Sequence, residues 1–319
     1  MAKEKINVYD MVTDRILAEL EQGNIPWHKP WIRPTVQYKG VKIEVDPSSC
    51  AFSRSTGKPY SLMNQMLLRL PGEWATYKQI AEAGGTVRKG EKSSMVVFWK
   101  FIETKKVTTS GEEETERIPM LRYYNVFHVE TQTEGIKPKT RTITETVMVS
   151  DGLTPLEREW DAIEEADEIV RRYLEHSGVT HTDVIGDRAF YRPSTDSIET
   201  PAKAQFKDPA EYYSTLFHEI THSTGHMSRL DRFRESGSHA FGSDNYSKEE
   251  LVAELGASAL VNFLGIESKG SFRNNAAYIQ NWAKHIRADN RLIVAASGKA
   301  EKAVNYILSG ELPKKGVTA

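Results

Sequence analysis

His218 and His222 stand four residues apart in the run His218-Glu219-Ile220-Thr221-His222. On a helix that spacing puts both imidazoles on one face, a turn apart, where they can ligate a single zinc ion. Glu219 lies beside them, placed to take a proton from a water acidified by the metal and later to return it. The chemistry this predicts is metal-assisted hydrolysis of a peptide bond, with Zn2+ the expected ion and Mn2+ the alternative. Cys50 is the only cysteine. Disulfides and cysteine-rich zinc sites are therefore excluded, and a metal must be held by histidine and carboxylate.

Such a site needs a third protein ligand. His226 follows closely, and Gly225 matches the glycine of the metzincin pattern, but the ligand position of that pattern is held by Ser228. His226 fits better as a helix-end residue. A carboxylate further along is the stronger candidate. In residues 248–257, Glu250 and Glu254 lie four apart on one helical face. Glu254 sits among small and apolar residues, where an unpaired carboxylate is costly. Glu254 is therefore assigned as the ligand, with Glu250 orienting a histidine from behind or exchanging roles with it. Tyr246 could reach an oxyanion, although packing is its plainer role, and Asp231 could support the site from behind.

The elements that must position these groups are legible around them. Residues 209–224 form the motif helix, with Asp208 as N-cap and Pro209 at the first helical position. Residues 247–263 and 278–288 read as further helices, residues 156–173 as a long amphipathic one, and 188–193 with 197–201 as a short hairpin. Upstream, residues 9–22 predict a helix stopped by Gly23, and residues 25–31 an extended aromatic loop. Residues 61–70 and 76–83 predict short helices, and residues 95–102 and 121–129 buried strands joined by a polar hairpin loop. Residues 131–152, rich in Thr and Lys, read as a linker. The expected organisation is α+β: a small N-terminal α+β domain (1–130), the linker, and a mostly helical domain with a short β-sheet (153–319).

Charge separates the halves. Residues 1–130 carry a net +3 and the remainder −5, and residues 29–100 alone carry +7. Trp27, Trp31, Tyr38, Phe52, Tyr60, Trp74 and Tyr77 are interleaved there with Lys and Arg. Aromatic faces in a basic groove are what single-stranded nucleic acid requires, although such aromatics also build the core of a small domain. Trp27, Lys29 and Trp31, with Arg88, Lys89 and Lys92 of a basic turn, are the candidate contacts. Residues 55–60 (Ser-Thr-Gly-Lys-Pro-Tyr) lack the spacing of a phosphate loop. A hydrophobic fraction of 39%, a charged fraction of 27% and no apolar run of membrane-spanning length fit a soluble protein. With no signal-like start, the expected location is the cytoplasm.

Ile25-Pro26-Trp27, Pro30-Trp31, Thr56-Gly57-Lys58-Pro59-Tyr60, the run from Gly84 to Glu91 and Tyr124-Asn125-Val126-Phe127 resemble the ArdC-type antirestriction proteins of mobile genetic elements. From Phe190-Tyr191 through the histidine motif, Gly225-His226 and the run from Glu249 to Glu254, the chain resembles the zincin-like metallopeptidase domain that accompanies them. The resemblance implies a single-stranded-DNA-binding domain followed by a metallopeptidase domain, protecting plasmid or transposon DNA from host restriction in a bacterial cytoplasm. It implies His218 and His222 as ligands, Glu219 as the catalytic residue, and a peptide substrate of unknown identity. The competing expectation is a DNA-binding shield whose zincin domain is structural.

Overall fold

The computed structural model describes residues 7–28, 37–38, 41–42, 50–68, 70–107, 113–139, 162–236, 244–266 and 276–312. Helix α1 (Val8–Glu21) begins where the Asn7 side chain accepts the Tyr9 N–H at 3.1 Å, and it buries Val12, Ile16, Leu17 and Leu20. Gly23, at φ 80°, lets the chain leave it in the left-handed region, and a single 3-10 turn (Pro26–His28) follows. Strands β1 (Gln37–Tyr38) and β2 (Val41–Lys42) pair antiparallel. Then come β3 (Ala51–Ser53), α2 (Leu62–Leu67), β4 (Gly72–Ala75), α3 (Tyr77–Glu82), β5 (Thr86–Val87) and the long hairpin β6 (Ser94–Val107) and β7 (Glu113–His128). The sheet order is β3-β4-β7-β6, parallel only between β3 and β4.

Helix α4 (Val129–Gln132) and β8 (Thr133–Glu134) follow directly, and β8 pairs with β5. Residues 131–134, expected as linker, are therefore regular structure tied to the first half. Ladder bonds and the Thr133 hydroxyl on the Val129 carbonyl at 2.6 Å hold a stretch whose composition carries no period. The rest of the expected linker beyond residue 139, and the start of the helix expected at 156, lie outside the described residues. That helix is seen as α5 (Ala162–Ser177).

The second half continues with β9 (Thr180–Val184), β10 (Phe190–Arg192) and β11 (Ser197–Pro201), in the order β10-β11-β9. Helices α6 (Pro209–Ser223), α7 (Arg232–Ser236), α8 (Asp244–Phe263), α9 (Ala276–Ala288) and α10 (Leu292–Ser309) complete it. The hairpin of β10 and β11 was anticipated; β9 and α10 were not. α10 buries Leu292, Ile293, Val294, Ala300 and Ile307. Its exposed positions, Ala295, Gly298, Lys302, Asn305 and Ser309, form one stripe at helical spacing, but Ala and Gly at two of them mark that stripe weakly in the sequence. The α+β organisation holds. One apolar cluster nevertheless runs through both halves, from Val12, Ile16 and Trp27 to Tyr213, Phe217, Leu251, Leu255 and Ile286.

Candidate metal centre

Helix α6 begins as expected, with the Asp208 carboxylate accepting the Ala210 N–H at 2.9 Å and Pro209 at the first helical position. It buries Tyr212, Tyr213, Leu216, Phe217 and Ile220 in the core, and its other face meets α8. The two helices come unusually close at Gly256. A Cβ there would stand 2.5 Å from Cγ2 of Thr221, the residue just before His222. That contact seats the motif beside the acidic turn of α8.

The outcome is a triangle of ligand atoms. His218 Nε2 and His222 Nε2 are 3.1 Å apart, and the two oxygens of Glu250 lie 3.4 Å from one ring nitrogen each. A tetrahedral ion with bonds of about 2.0–2.1 Å separates its ligand atoms by about 3.3–3.4 Å. These three residues therefore fit one small divalent cation, and they form the only such His/Cys/Asp/Glu group among the described residues.

Glu254, expected from the sequence as the third ligand, is not part of that triangle. One turn along α8 from Glu250, it faces the back of His218, with Oε2 3.7 Å from Nδ1, while Oε1 lies 3.5 Å from His28 Nε2. Burial had suggested a cation beside Glu254, and the sequence could not distinguish which of two same-face carboxylates reaches the front of the rings. His222 is backed in the same way: Glu249 Oε1 lies 3.6 Å from its Nδ1. Arg232 holds Glu249 from Nε at 3.1 Å and Nη2 at 2.5 Å, and donates to the Thr221 carbonyl at 2.9 Å and the Thr224 hydroxyl at 2.7 Å. A carboxylate behind each imidazole favours protonation of Nδ1 and turns the Nε2 lone pair toward the ion. His218 Nδ1 is buried without a hydrogen bond, its carboxylate standing just beyond reach.

The electrostatics ask for positive charge. Glu219, Glu249 and Glu254 are buried, Glu250 is half-buried, and the guanidinium of Arg232 is buried against Glu249. Burial opposes a charged His222, but Glu249, Glu250 and the Glu219 charge outweigh it and raise its pKa to about 10. Burial likewise opposes an ionised Glu249, yet His222 and Arg232 bring it down to about 2. Glu250, also desolvated, is held well below the usual carboxylate range by both histidines. Four clustered carboxylates are stable only with cations among them, and a divalent ion in the triangle supplies the charge that a protonated imidazole otherwise provides.

Other expected residues fall elsewhere. His226 lies in the turn after α6, its Nδ1 2.8 Å from the Ser228 hydroxyl, consistent with a helix-end role. Asp231 adopts a left-handed φ of 51° and pairs with Arg234 at 3.0 Å. The side chain of Tyr246 is outside the described residues, as are Lys29 and Trp31. Trp27, expected to stack on nucleic acid, is fully buried. Its indole N–H donates to the Tyr278 hydroxyl at 3.3 Å, and its carbonyl accepts from Ser258 of α8. It is a core anchor, because the 3-10 turn tucks it against α8 and α9. Phe52 and Trp74 are likewise core residues. Arg88, Lys89 and Lys92 are exposed together on the turn from β5 to β6, with Arg88 donating to the Thr131 carbonyl at 3.1 Å. The residue missed at the metal centre is His28, whose ring stacks at 6.1 Å on Tyr278. It lies 226 positions from Glu254, and no local pattern announces such a contact.

Comparison with known proteins agrees with this layout. Residues 6–127 match the N-terminal domain of the anti-restriction factor ArdC, and residues 165–299 match a zincin-like metallopeptidase domain. The uncharacterized protein y4eC of Sinorhizobium fredii is 30% identical over 94% of this chain and 91% of its own length. The Mn(II)-bound crystal structure of the antirestriction protein ArdC from plasmid R388 superposes with a TM-score of 0.65 at 33% identity, covering 95% of this chain and 97% of that one. The chain belongs to the ArdC-type antirestriction family. A protein named DNA primase TraC from Escherichia coli is 38% identical over 98% of this chain, which spans only 28% of that longer protein. This ArdC-type chain thus carries the N-terminal domain of its family followed by a zincin-like metallopeptidase domain. Among the described residues no helix is long and apolar enough to cross a membrane.

Proposed function

We propose that this ArdC-type chain is a divalent-metal-dependent peptidase that also binds single-stranded DNA, and that it protects the DNA of a mobile element from restriction in the bacterial cytoplasm. The observation that carries the peptidase reading is the triangle of His218, His222 and Glu250 beside Glu219 on α6. His218 and His222 would hold the ion through Nε2 and Glu250 through its carboxylate, with Zn2+ or Mn2+ both suited to that donor set. The Mn(II) found in the R388 relative supports a divalent site. Bound there, the ion supplies Lewis acidity toward a peptide carbonyl and toward the attacking water.

Glu219, buried on the same helix, takes the proton that the attacking water gives up and passes it to the departing amine. Glu249 and Glu254 keep the imidazoles oriented, and Arg232 keeps Glu249 ionised. The basic turn of Arg88, Lys89 and Lys92, with the net +7 over residues 29–100, supports the DNA reading.

Glu219→Gln tests the enzyme. It is expected to retain metal within about twofold and to lose peptide hydrolysis by at least the hundredfold typical of a general base. Restriction of transferred plasmid DNA should be scored beside it. Protection undiminished in Glu219→Gln would make the zincin domain structural and the DNA-binding half the protective agent.

A further inference from the structure

Along the β6–β7 hairpin, Val96 is opposite Tyr124, Phe98 opposite Arg122, Lys100 opposite Met120 and Ile102 opposite Ile118. Side chains alternate, so these residues share one face, while Met95, Val97, Leu121 and Tyr123 share the other. The second face packs into the main core, burying Val97 and Leu121. Among the described residues the first is covered at its base, where Val96 and Val126 meet Ala51, Leu68 and Trp74. Beyond that base, Phe98 is 42% exposed, Tyr124 37% and Ile118 42%.

The two rings lie 5.5 Å apart at 56°. Arg122 and Lys100 are exposed among them, and from Ser94 to Ile102 and Ile118 to Val126 this face carries no acidic residue. Exposed aromatics grouped on a rigid sheet mark an interaction site. With cations and no carboxylate on this face over residues 94–102 and 118–126, the complementary partner has flat apolar rings and a negative backbone, which describes unpaired bases on a phosphate chain.

We propose that Phe98 and Tyr124, flanked by Arg122 and Lys100, form a base-stacking platform for single-stranded DNA. The platform rests on the DNA-binding reading above, and it moves the stacking role from buried Trp27 to this sheet face. Bases stack on the two rings, and the guanidinium and ammonium groups meet the phosphates on either side.

The test is fluorescence anisotropy of a labelled oligothymidylate titrated with the full chain at several salt concentrations. Phe98→Ala and Tyr124→Ala are each expected to weaken binding about ten- to hundredfold, with the salt slope unchanged. Phe98→Trp should restore it, and Arg122→Ala should lower the slope by about one. Lys100→Glu combined with Arg122→Glu, at solvent positions that do not threaten folding, should abolish binding. If the wild-type chain binds and the double alanine variant, folded by circular dichroism, binds within twofold, the platform is overturned while the DNA-binding reading stands. Absence of wild-type binding even at low salt overturns both. Loss of self-association in the double variant with DNA affinity intact would reassign the face to a protein contact.

Discussion

Exchanging Glu250 and Glu254, one at a time, for glutamine separates a ligand from a residue that orients one. Each change keeps shape and removes one charge. Glu250 lies 3.4 Å from both Nε2 atoms, whereas Glu254 approaches only the far nitrogen of His218, at 3.7 Å. A protein zinc site is worth about 10–16 kcal/mol, so one of its four ligand positions carries about 3–4 kcal/mol, or several hundred-fold in Kd. Groups behind a ligating histidine are worth about tenfold to a hundredfold. Competition with a chromogenic chelator for Zn2+, and electron paramagnetic resonance of Mn(II), measure both ions. Glu250→Gln should weaken binding by about three- to thirtyfold more than Glu254→Gln. His28→Ala should resemble a mild Glu254→Gln, and the His28/Glu254 double variant should be non-additive because the two share one contact at 3.5 Å. A Glu254→Gln loss exceeding that of Glu250→Gln would refute the geometry and restore Glu254 as the ligand.

Two further outcomes follow from groups away from the ligand atoms. Burial lowers the pKa of His128, whose ring lies 2.9 Å from the Pro71 carbonyl and edge-on to Trp74, so its neutral form belongs to the folded state. The unfolded chain then binds more protons, and this contribution is full above pH about 6.5 and is lost as pH falls from there toward the lower folded-state pKa; Tm against pH should show a slope below that value that His128→Asn flattens. Gly256→Ala places a Cβ 2.5 Å from Thr221 Cγ2, so α6 and α8 must separate. Unfolding should show a loss of about 1–3 kcal/mol together with weaker metal binding, and unchanged values of both would deny that this approach seats the site.

What the sequence made legible follows from locality. Asp208, Pro209, His218, Glu219 and His222 are all read within one helix, whose period relates them directly. The choice between Glu250 and Glu254 is not local. It depends on the axial offset between α6 and α8, which a missing side chain at Gly256 sets and which no periodicity encodes. Trp27 misled for a related reason. An aromatic beside Lys29 has the composition of a nucleic-acid contact, but the turn at Pro26–His28 rotates its indole into the core, and only tertiary packing decides that. Phe98 and Tyr124 went the other way. Within strands read as buried they face water, as Lys100 and Arg122 do on the same face, because among the described residues the covering elements reach only the base of the hairpin.

The contact between His28 and Glu254 changes how the two halves relate. A peptidase site with an unrelated DNA-binding module attached would need nothing from the first thirty residues. Here Trp27 is locked to α8 through Ser258 and to α9 through Tyr278, and the next residue meets the carboxylate behind His218. The basic stretch starts at Lys29, one position later. Lys29 is bonded directly to His28, and His28 meets the carboxylate that stands behind His218. Cooperativity between DNA and metal would then appear as a reciprocal change in the two affinities, and it would vanish in His28→Ala while each separate affinity survived.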